Sequence, residues 1–461
     1  MTQDQLSGSD LDVLVIGGGI VGAGLARDAA LRGMRTALVE QYDFASGASS
    51  RTSRLLHGGL RYLAQGRIGL VRQASREKLV LQRIAPHLAQ PLAFLFPTYK
   101  RTPWPRWQLA PGVKLYDLLC GLTGNLGRSM TLNRREMLAA LPGLRSQNLT
   151  GGVRYYDGFT QDARLVLDTL RSAARHGAVV RNYTRFVQAR REGAGWRCLL
   201  GETESGRSIS VSARCVVSAA GPWAMQLPHN RLRLRLTKGV HLLVERARLP
   251  VPEAVVLSEG KRILFAIPWG ARVILGTTDT DYTGRPEDAR TEPQDVRCVL
   301  DVVNGYFPEA RLAERDVLGA WAGLRPLLAG RGGCPSDISR SHRMRMNEPG
   351  WLELAGGKLT TYRLMAEQAV DRVARYLRVR AAPCRTALEP LLEAGDQAAF
   401  SGILPPPVTR SAVEHYCRNE WARGPEDVMV RRASWQYYLN DAPAVAAQVA
   451  AWMEEIAHPT C

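Results

Sequence analysis

The sequence predicts an α/β fold in which a parallel sheet with a glycine-rich turn is joined to a second, antiparallel sheet and a small helical C-terminal domain. Three observations predict it. Residues 12–40, DVLVIGGGIVGAGLARDAALRGMRTALVE, read as strand, tight turn, helix and strand, ending on Glu40. Short apolar or alternating segments at 185–200, 208–219, 232–245, 261–268 and 271–276 read as a succession of strands. Residues 351–354 run into Ala355-Gly356-Gly357-Lys358 and then LTTYRLMAEQAVDRVARYL, a second strand–glycine–helix junction far along the chain.

The first unit carries its own chemistry. Gly17, Gly19 and Gly22 fit G-x-G-x-x-G: the first permits the turn, the second lets a pyrophosphate approach the backbone, and the third lets helix and strand pack closely. Free N–H groups at the start of the helix suit phosphate oxygens. Glu40 falls where an acidic residue meets a ribose hydroxyl, roughly 20 residues on. Strand, helix, second strand and terminal acid agree, so the stretch reads as a dinucleotide site rather than an ordinary βαβ turn. Two strand–glycine–helix junctions suggest a cofactor held from both ends.

Between these units, the small and polar residues of 41–67 form no regular element, and the Gly58-Gly59 pair marks a turn. Leu70, Val71, Leu79, Val80 and Leu81 predict a helix over 68–84, ending before Pro86. The segment 97–112, PTYKRTPWPRWQLAPG, reads as irregular surface, either a cover over a helix or a membrane-interface loop. Residues 162–175 read as a helix and 178–182 as a strand behind it. In RLRLRL, 231–236, strict alternation gives one apolar and one basic strand face. The strand at 211–219 ends in AAGPWA, a small-residue turn that predicts its return to the nucleotide-binding sheet.

At 461 residues the chain is expected to divide into two or three domains. The polar N-terminus suggests no targeting peptide, and no apolar run approaches bilayer-spanning length. Eight scattered cysteines without a C-x-x-C pair suit reduced thiols in the cytoplasm and no metal site. A formal net charge of +18 favours anionic partners, although the same surplus follows from arginine-rich composition. The arginines are spread along the whole chain, which argues against nucleic acid.

The ordered set VIGGGIVGAG, SSRTSRLLHGGLRYL, APHL, DARLVLDTL, AAGPWA, LTKGVHLLV, IPW, GTTDTDY, GLRPL and GGKLTTYR carries a family resemblance over nearly all of residues 10–370. The sequence resembles the FAD-dependent glycerol-3-phosphate dehydrogenases and oxidases, within the D-amino-acid-oxidase-like flavoproteins. HYCRNEWARGPEDVMVRR, from His415, resembles that family's small helical C-terminal domain. The resemblance implies a Rossmann-like FAD-binding domain assembled from 10–85, 150–225 and 345–382, a substrate domain from 86–149 and 226–344, and a helical domain from 383–461.

By resemblance, Gly17, Gly19, Gly22 and Glu40 hold the ADP half of FAD, and Ser49, Ser50 and Ser53, with His57, Gly58 and Gly59, lie along the pyrophosphate and flavin. Gly356, Gly357, Lys358 and Leu359 sit beneath the ring. Arg61, Tyr62, Arg325, Arg340 and Lys358, with Thr277 and Thr278, surround the substrate, and His241 matches the active-site histidine. Arg325 is the second catalytic candidate: it could orient the alkoxide and leave water or His241 to take the proton. Arginine and lysine suit a phosphate, and histidine is the usual acceptor for a hydroxyl proton. His342 and His415 read as structural or exposed.

The implied reaction is sn-glycerol 3-phosphate to dihydroxyacetone phosphate, with hydride passing from C2 to flavin N5 and electrons then to a membrane quinone. The implied setting is peripheral, on an anionic membrane surface at the cytoplasmic face of the inner membrane, with a homo-oligomer left open. Arg54 stands where the family commonly has lysine, and Ser341 where it has an acid. Alternatives are oxidation of another 2-hydroxy acid or an amine, electron transfer to oxygen, or FAD bound for structure alone.

Overall fold

A computed structural model of the chain describes residues 6, 8–59, 63, 66–100, 102–121, 127–260, 262–329, 342–393 and 400–458. The chain opens with β1 (Asp10–Ile16), α1 (Ile20–Leu31), β2 (Thr36–Val39), β3 (Leu55–Leu56), α2 (Ile68–Ile84) and β4 (Gln90–Tyr99). Then come α3 (Arg106–Gly121), β5 (Met130–Leu132), α4 (Arg134–Ala140), β6 (Leu149–Phe159), α5 (Asp162–Arg175) and β7 (Val179–Arg181). Strands β8 (Thr184–Glu192), β9 (Gly195–Glu202), β10 (Ser208–Ser218), β11 (Leu234–Glu245), β12 (Ala254–Glu259), β13 (Arg262–Trp269), β14 (Arg272–Gly276) and β15 (Thr280–Tyr282) follow. The last elements are α6 (Pro293–Tyr306), β16 (Gly319–Leu328), β17 (His342–Glu348), β18 (Trp351–Gly356), α7 (Tyr362–Leu377), α8 (Arg410–Asn419), α9 (Trp435–Tyr438) and α10 (Ala442–Ala457).

Two sheets organise these elements. The first has the order β17-β18-β10-β1-β2-β7, with the β8–β9 hairpin attached to β10. The pairs β10–β1, β1–β2, β2–β7 and β10–β18 are parallel. Connections leave β1 toward β2 on one side while β10 returns on the other, so the end of β1 is the crevice at which a ligand meets such a sheet. Helices α1, α5 and α7 bury the sheet's apolar strands in one core, including Val13, Val15, Leu38, Leu165, Leu352 and Ala369. At Gly24 a Cβ would lie 3.0 Å from the Tyr362 ring, so α1 and α7 meet closely there.

The second sheet has the order β15-β11-β14-β13-β12-β4-β6-β3, with β16 on β11 and β5 on β6. Its pairs are antiparallel except β12–β4, which is parallel. Strand β6, expected beside the nucleotide sheet from residue 150 onward, hydrogen-bonds here between β4 and β3. The single strand expected at 185–200 is a hairpin, β8 and β9, turning at Gly193 in a left-handed conformation. The segment 97–112 is the end of β4 followed by α3, not an irregular loop. Pro111 lies inside α3, yet the buried spacing of Leu109, Val113 and Tyr116 secures the helix despite that proline.

The C-terminal helices pack a small core of their own, with Tyr416, Val428, Trp435 and Val449. Buried ion pairs attach this core to the first sheet. Arg164 on α5 binds the Glu420 carboxylate and, at 2.9 Å, Asp168; Ser401 donates to Asp168 at 2.6 Å. Asp43, after β2, receives Arg431 and Arg432 together with Asn182. Burial by itself would push the Glu420 carboxyl up, but Arg164, His415 and Arg171 hold it well below the carboxylate range. Its stabilising contribution is therefore complete above the ordinary value of ~4.3 and is lost as pH falls below that value. Glu420→Gln leaves a buried guanidinium short of a charge partner, and breaking such a pair costs roughly 3–5 kcal/mol. A lowered thermal unfolding midpoint for Glu420→Gln is expected at neutral pH, with the gap to wild type narrowing in acid; an unchanged midpoint contradicts this role.

Candidate active site

The turn after β1 is built to lack side chains. Gly17 has φ +111°, and a Cβ there would lie 2.7 Å from the Ala219 carbonyl oxygen at the end of β10. A Cβ on Gly22 would sit 1.8 Å from the Gly17 oxygen, so only glycine lets the first turn of α1 lie against the loop. Ser49 reaches the same place, its hydroxyl accepting from Ile20 N at 3.0 Å. Glu40 accepts from Gly18 N at 2.7 Å and from Tyr42 N at 3.0 Å, with the Gln41 backbone N–H as a further donor, and burial raises its carboxyl against those contacts. A carboxylate accepts about four hydrogen bonds, which leaves capacity for a ribose hydroxyl. Ser50 is buried beside this turn.

A cavity of about 590 Å³ lies between the two sheets. One wall is the 48–59 loop, including Arg51, Ser53, His57 and Gly59; another is Gly356, Gly357, Lys358 and Leu359; the floor is Gly239, His241, Thr277 and Arg325. Gly356 and Gly357 both have positive φ, and a Cβ on Gly357 would lie 2.3 Å from Met365 Sδ. Lys358 then starts a short 3-10 turn over residues 359–361 that leads into α7. Gly58 lies just behind the wall, its N–H shared between the Tyr116 hydroxyl at 3.1 Å and Asp157 at 3.2 Å.

The floor follows from strand register. His241 on β11 pairs with Gly276 of β14 on one side and Trp321 of β16 on the other. Alternate residues share a face, so Gly239 and His241 lie beside Trp321, Gly323 and Arg325. A Cβ on Gly276 would be 2.4 Å from His241 Cδ2, which leaves room for the ring only over glycine. The imidazole stacks on Trp321, with centroids 5.5 Å apart and planes 22° apart, and Ser53 Oγ lies 2.7 Å from Nε2. Burial, then the nearby charges of Arg325 and Arg54, push its pKa down to about 3, so the ring is neutral near pH 7.

Arg325 donates to Asp279 Oδ1 at 3.1 Å, to the Thr278 carbonyl at 3.2 Å and to Thr277 Oγ1 at 2.9 Å. Its guanidinium lies directly over Gly239, where a Cβ would come within 2.3 Å of Nη2. Thr278 itself is fully buried and does not reach the cavity; its hydroxyl accepts from Val240 N at 2.9 Å, and its carbonyl helps hold Arg325. Asp279, Gly239, Gly323 and Trp321 are functional positions the sequence reading did not single out. GTTDTDY, LTKGVHLLV and GLRPL contain Asp279, Gly239 and Gly323, and Trp321 lies two residues before GLRPL; the pairing of β11 with β16 reveals the use of Gly239, Gly323 and Trp321, and the Arg325 hydrogen bond that of Asp279. Arg61, Tyr62 and Arg340 lie outside the described residues. His342 bonds to Gln368 and His415 to Glu420, both away from the cavity.

A glycine turn at a sheet switch point, an acid closing β2, and a cavity between two sheets with a neutral histidine and a fixed arginine define a dinucleotide-dependent oxidoreductase architecture. Comparison with known proteins gives the family. The model for the FAD dependent oxidoreductase family DAO matches residues 12–363, and the chain belongs to that family. It is 42% identical over 401 residues to glycerol-3-phosphate dehydrogenase 2 of Mycobacterium bovis, covering 85% of this chain and 67% of that one. It is 36% identical over 395 residues to the aerobic glycerol-3-phosphate dehydrogenase of Staphylococcus aureus, covering 83% and 71% respectively. The glycerol-3-phosphate dehydrogenase of Bacillus halodurans, solved with FAD, superposes with a TM-score of 0.79 at 30% identity, covering 98% of this chain and 92% of that one.

The cofactor is FAD, and the residues present fit it. The bare turn at Gly17–Gly22 and the half-buried Glu40 carboxylate match the needs of a pyrophosphate and a ribose. The cavity between His57–Gly59 and Gly356–Leu359 offers a slot with glycine backbone on both walls. When bound, the flavin supplies the two-electron acceptor that an alcohol or amine oxidation requires.

Because Arg325 is seated on Gly239, adding one methyl group there displaces the guanidinium without touching the glycine turns. Where Arg325 takes a phosphate, as the sequence resemblance implies, Gly239→Ala is expected to weaken binding of inorganic phosphate by about tenfold, the scale of one charge-assisted hydrogen bond. Perturbation of the flavin absorbance during a phosphate titration measures this; equal affinity in variant and wild type contradicts a phosphate site at Arg325.

Proposed function

We propose that this protein oxidises sn-glycerol 3-phosphate to dihydroxyacetone phosphate, drawing the C2 hydride toward flavin N5 and passing the electrons to a quinone. One observation carries the reading: a fixed guanidinium and a neutral imidazole stand on adjacent strands in the same cavity, against the Gly356–Leu359 wall. The substrate phosphate carries about two negative charges at neutral pH. Arg325 and Lys358 hold it, with Arg61 and Arg340 added by the family pattern, which suits a phosphate better than a monocarboxylate. Thr277 completes the substrate side, with Tyr62 added by the family pattern.

With the phosphate anchored, the C2 hydroxyl faces His241. The neutral ring holds the hydroxyl proton as C2 loses its hydride, so the carbinol becomes a ketone with both hydrogens accounted for. Ser53 keeps Nε2 oriented. A phosphate dianion beside Arg325 offsets one of the charges that depress the imidazole, which makes His241 a better base with substrate bound than without.

An apolar arm of the cavity supports a quinone as the acceptor. Phe94, Phe96, Trp104, Leu109 and Phe265 line it, and Leu115 of α3 both lines it and is 40% exposed. On the outside of α3, Trp107 and Leu118 are exposed at 73% and 59%, beside Arg106 and Lys114. Apolar residues flanked by basic ones suit an anionic membrane surface. Among the described residues no helix is long and apolar enough to cross a membrane. The attachment proposed is peripheral, through this face of α3 and on the cytoplasmic side.

Anaerobic mixing of the FAD-loaded protein with glycerol 3-phosphate tests the reaction. Flavin absorbance near ~450 nm is expected to bleach promptly. Glycerol, lactate and D-alanine leave it unchanged, and Arg325→Ala slows bleaching by two orders of magnitude or more, roughly the loss of a bidentate charge contact. Reoxidation by a quinone in lipid vesicles, weakened in Trp107→Asp/Leu118→Glu, supports the acceptor and the surface. A loaded flavin that stays oxidised with glycerol 3-phosphate refutes the substrate.

A further inference from the structure

Arg54 is the least expected charge in the molecule. It is 2% exposed, at a left-handed backbone position with φ 57°, and its Nε and Nη1 atoms have no hydrogen-bond partner. Its guanidinium carbon lies 4.2 Å from the centroid of the Trp269 ring and 5.2 Å from that of Trp321. Trp269 is fixed in turn by its own N–H to the Ile403 carbonyl at 2.9 Å, and Trp321 by its N–H to the Thr52 carbonyl at 3.3 Å. Trp321 is the indole on which His241 stacks. The order in space is Trp269, Arg54, Trp321, His241, and the last ring bonds Ser53, the residue just before Arg54.

An arginine buried between indoles gains cation–π attraction but little hydrogen bonding, so stability alone gives weak reason to keep a charge there. We propose that Arg54 is a positioning residue for the oxidation: its guanidinium locks Trp321 against the His241 ring and places a fixed positive charge behind that ring. The inference rests on the reading of His241 as the proton acceptor.

Among the described residues, Arg51 and His57 share the cavity with the imidazole, Arg51 donating to the Ala322 carbonyl at 3.3 Å. From β16 comes Arg325, itself paired with Asp279. Behind Arg54, at the start of α5, is Asp162, 3.9 Å from Nε and engaged by Thr52 N, Thr52 Oγ1 and Ala163 N. Tyr437 packs on Trp321 at 5.1 Å. From β14 the neighbour is Gly276, which adds no charge. Lys358 lies on the opposite cavity wall. Burial lowers the arginine's pKa and raises that of Asp162, yet a guanidinium remains protonated in proteins, so the charge behind Trp321 persists. It opposes an imidazolium and leaves His241 free to receive a proton only when substrate supplies one.

A planar, delocalised cation is needed for this seat. Lysine carries the charge but cannot stack on both indoles at once. The two parts of the role are thus separable by substitution.

The test is an NMR titration of protein labelled at histidine Cε1, without substrate, with His241 assigned by the signal lost in His241→Gln. In the wild type, His241 is expected to stay neutral through the range in which an ordinary imidazole, near ~6.5, takes its proton. Arg54→Met is expected to raise its titration by about one pH unit or more. The acidic limb of anaerobic flavin reduction by glycerol 3-phosphate moves by the same amount. Arg54→Lys keeps the wild-type titration but reduces flavin about tenfold more slowly at every pH, with unchanged phosphate affinity.

Arg54→Met protein that holds FAD and titrates like wild type overturns the electrostatic part. Where Arg54→Met fails to fold, Arg54→Gln takes its place in the titration. Arg54→Lys with a wild-type reduction rate overturns the stacking part. If His241→Gln reduces flavin at the wild-type rate, the reading of His241 fails, and the NMR titration still decides what Arg54 does to the ring.

Discussion

One strand register governs the site. β11 hydrogen-bonds to β16 so that His241 faces Trp321, Gly239 faces Gly323, and Arg325 lies one pair further along. A slip of a single residue would turn all of these to the opposite face of the sheet. The glycines make the register useful. Gly239 gives Arg325 a seat, Gly276 gives the imidazole room, and Gly323 lets the Arg51 carbonyl approach within 2.6 Å of where a Cβ would be. That last contact brings the 48–54 loop, with Ser53 and Arg54, down onto the strand. The two sheets therefore meet over a floor of small residues on which the charged side chains are laid.

The same economy holds at the cofactor end. Gly17 and Gly22 remove atoms where backbone must touch backbone, and Glu40 ties the turn to the end of β2 through Gly18. The second glycine pair, Gly356-Gly357, closes the other wall. Farther out, buried arginine–carboxylate networks attach the C-terminal helices to α5 and to the loop after β2. They also bring Tyr437 and Tyr438 against Trp321 and Trp269. The C-terminal helices thus back the two indoles that enclose Arg54, which links a region remote in sequence to the histidine.

Much of this was legible in the sequence. Strand β1, helix α1, strand β2 and Glu40 follow from apolar runs and glycine spacing, because those signals are local. Helices α2 and α5 were readable from their apolar periodicity and stop signals. Helix α3 was hidden by its prolines, since the buried face formed by Leu109, Val113 and Tyr116 is a tertiary property. The hairpin at β8 and β9 reads as one strand because its turn is only the short Gly193-Ala194-Gly195 stretch between two strand-like segments. His241 and Arg325 were identified only through the resemblance; nothing local separates them from a core histidine and a surface arginine. The use of Gly239 and Trp321 depends on pairing between residues some eighty apart in sequence, and that of Asp279 on an ion pair to Arg325, which no window along the chain contains. Arg54 was noticed as a departure from lysine, but its partners Trp269 and Trp321 come from two distant strands.

In the proposed reaction, one cavity separates phosphate capture by Arg325 from proton transfer at His241. A crystal structure of the FAD-bound protein with dihydroxyacetone phosphate measures that division directly. Phosphate oxygens are expected within hydrogen-bond distance of Arg325 and Lys358, with the C2 oxygen directed at the His241–Ser53 pair and C2 facing the flavin. A ligand whose phosphate avoids Arg325, or whose C2 oxygen points away from His241, would contradict it.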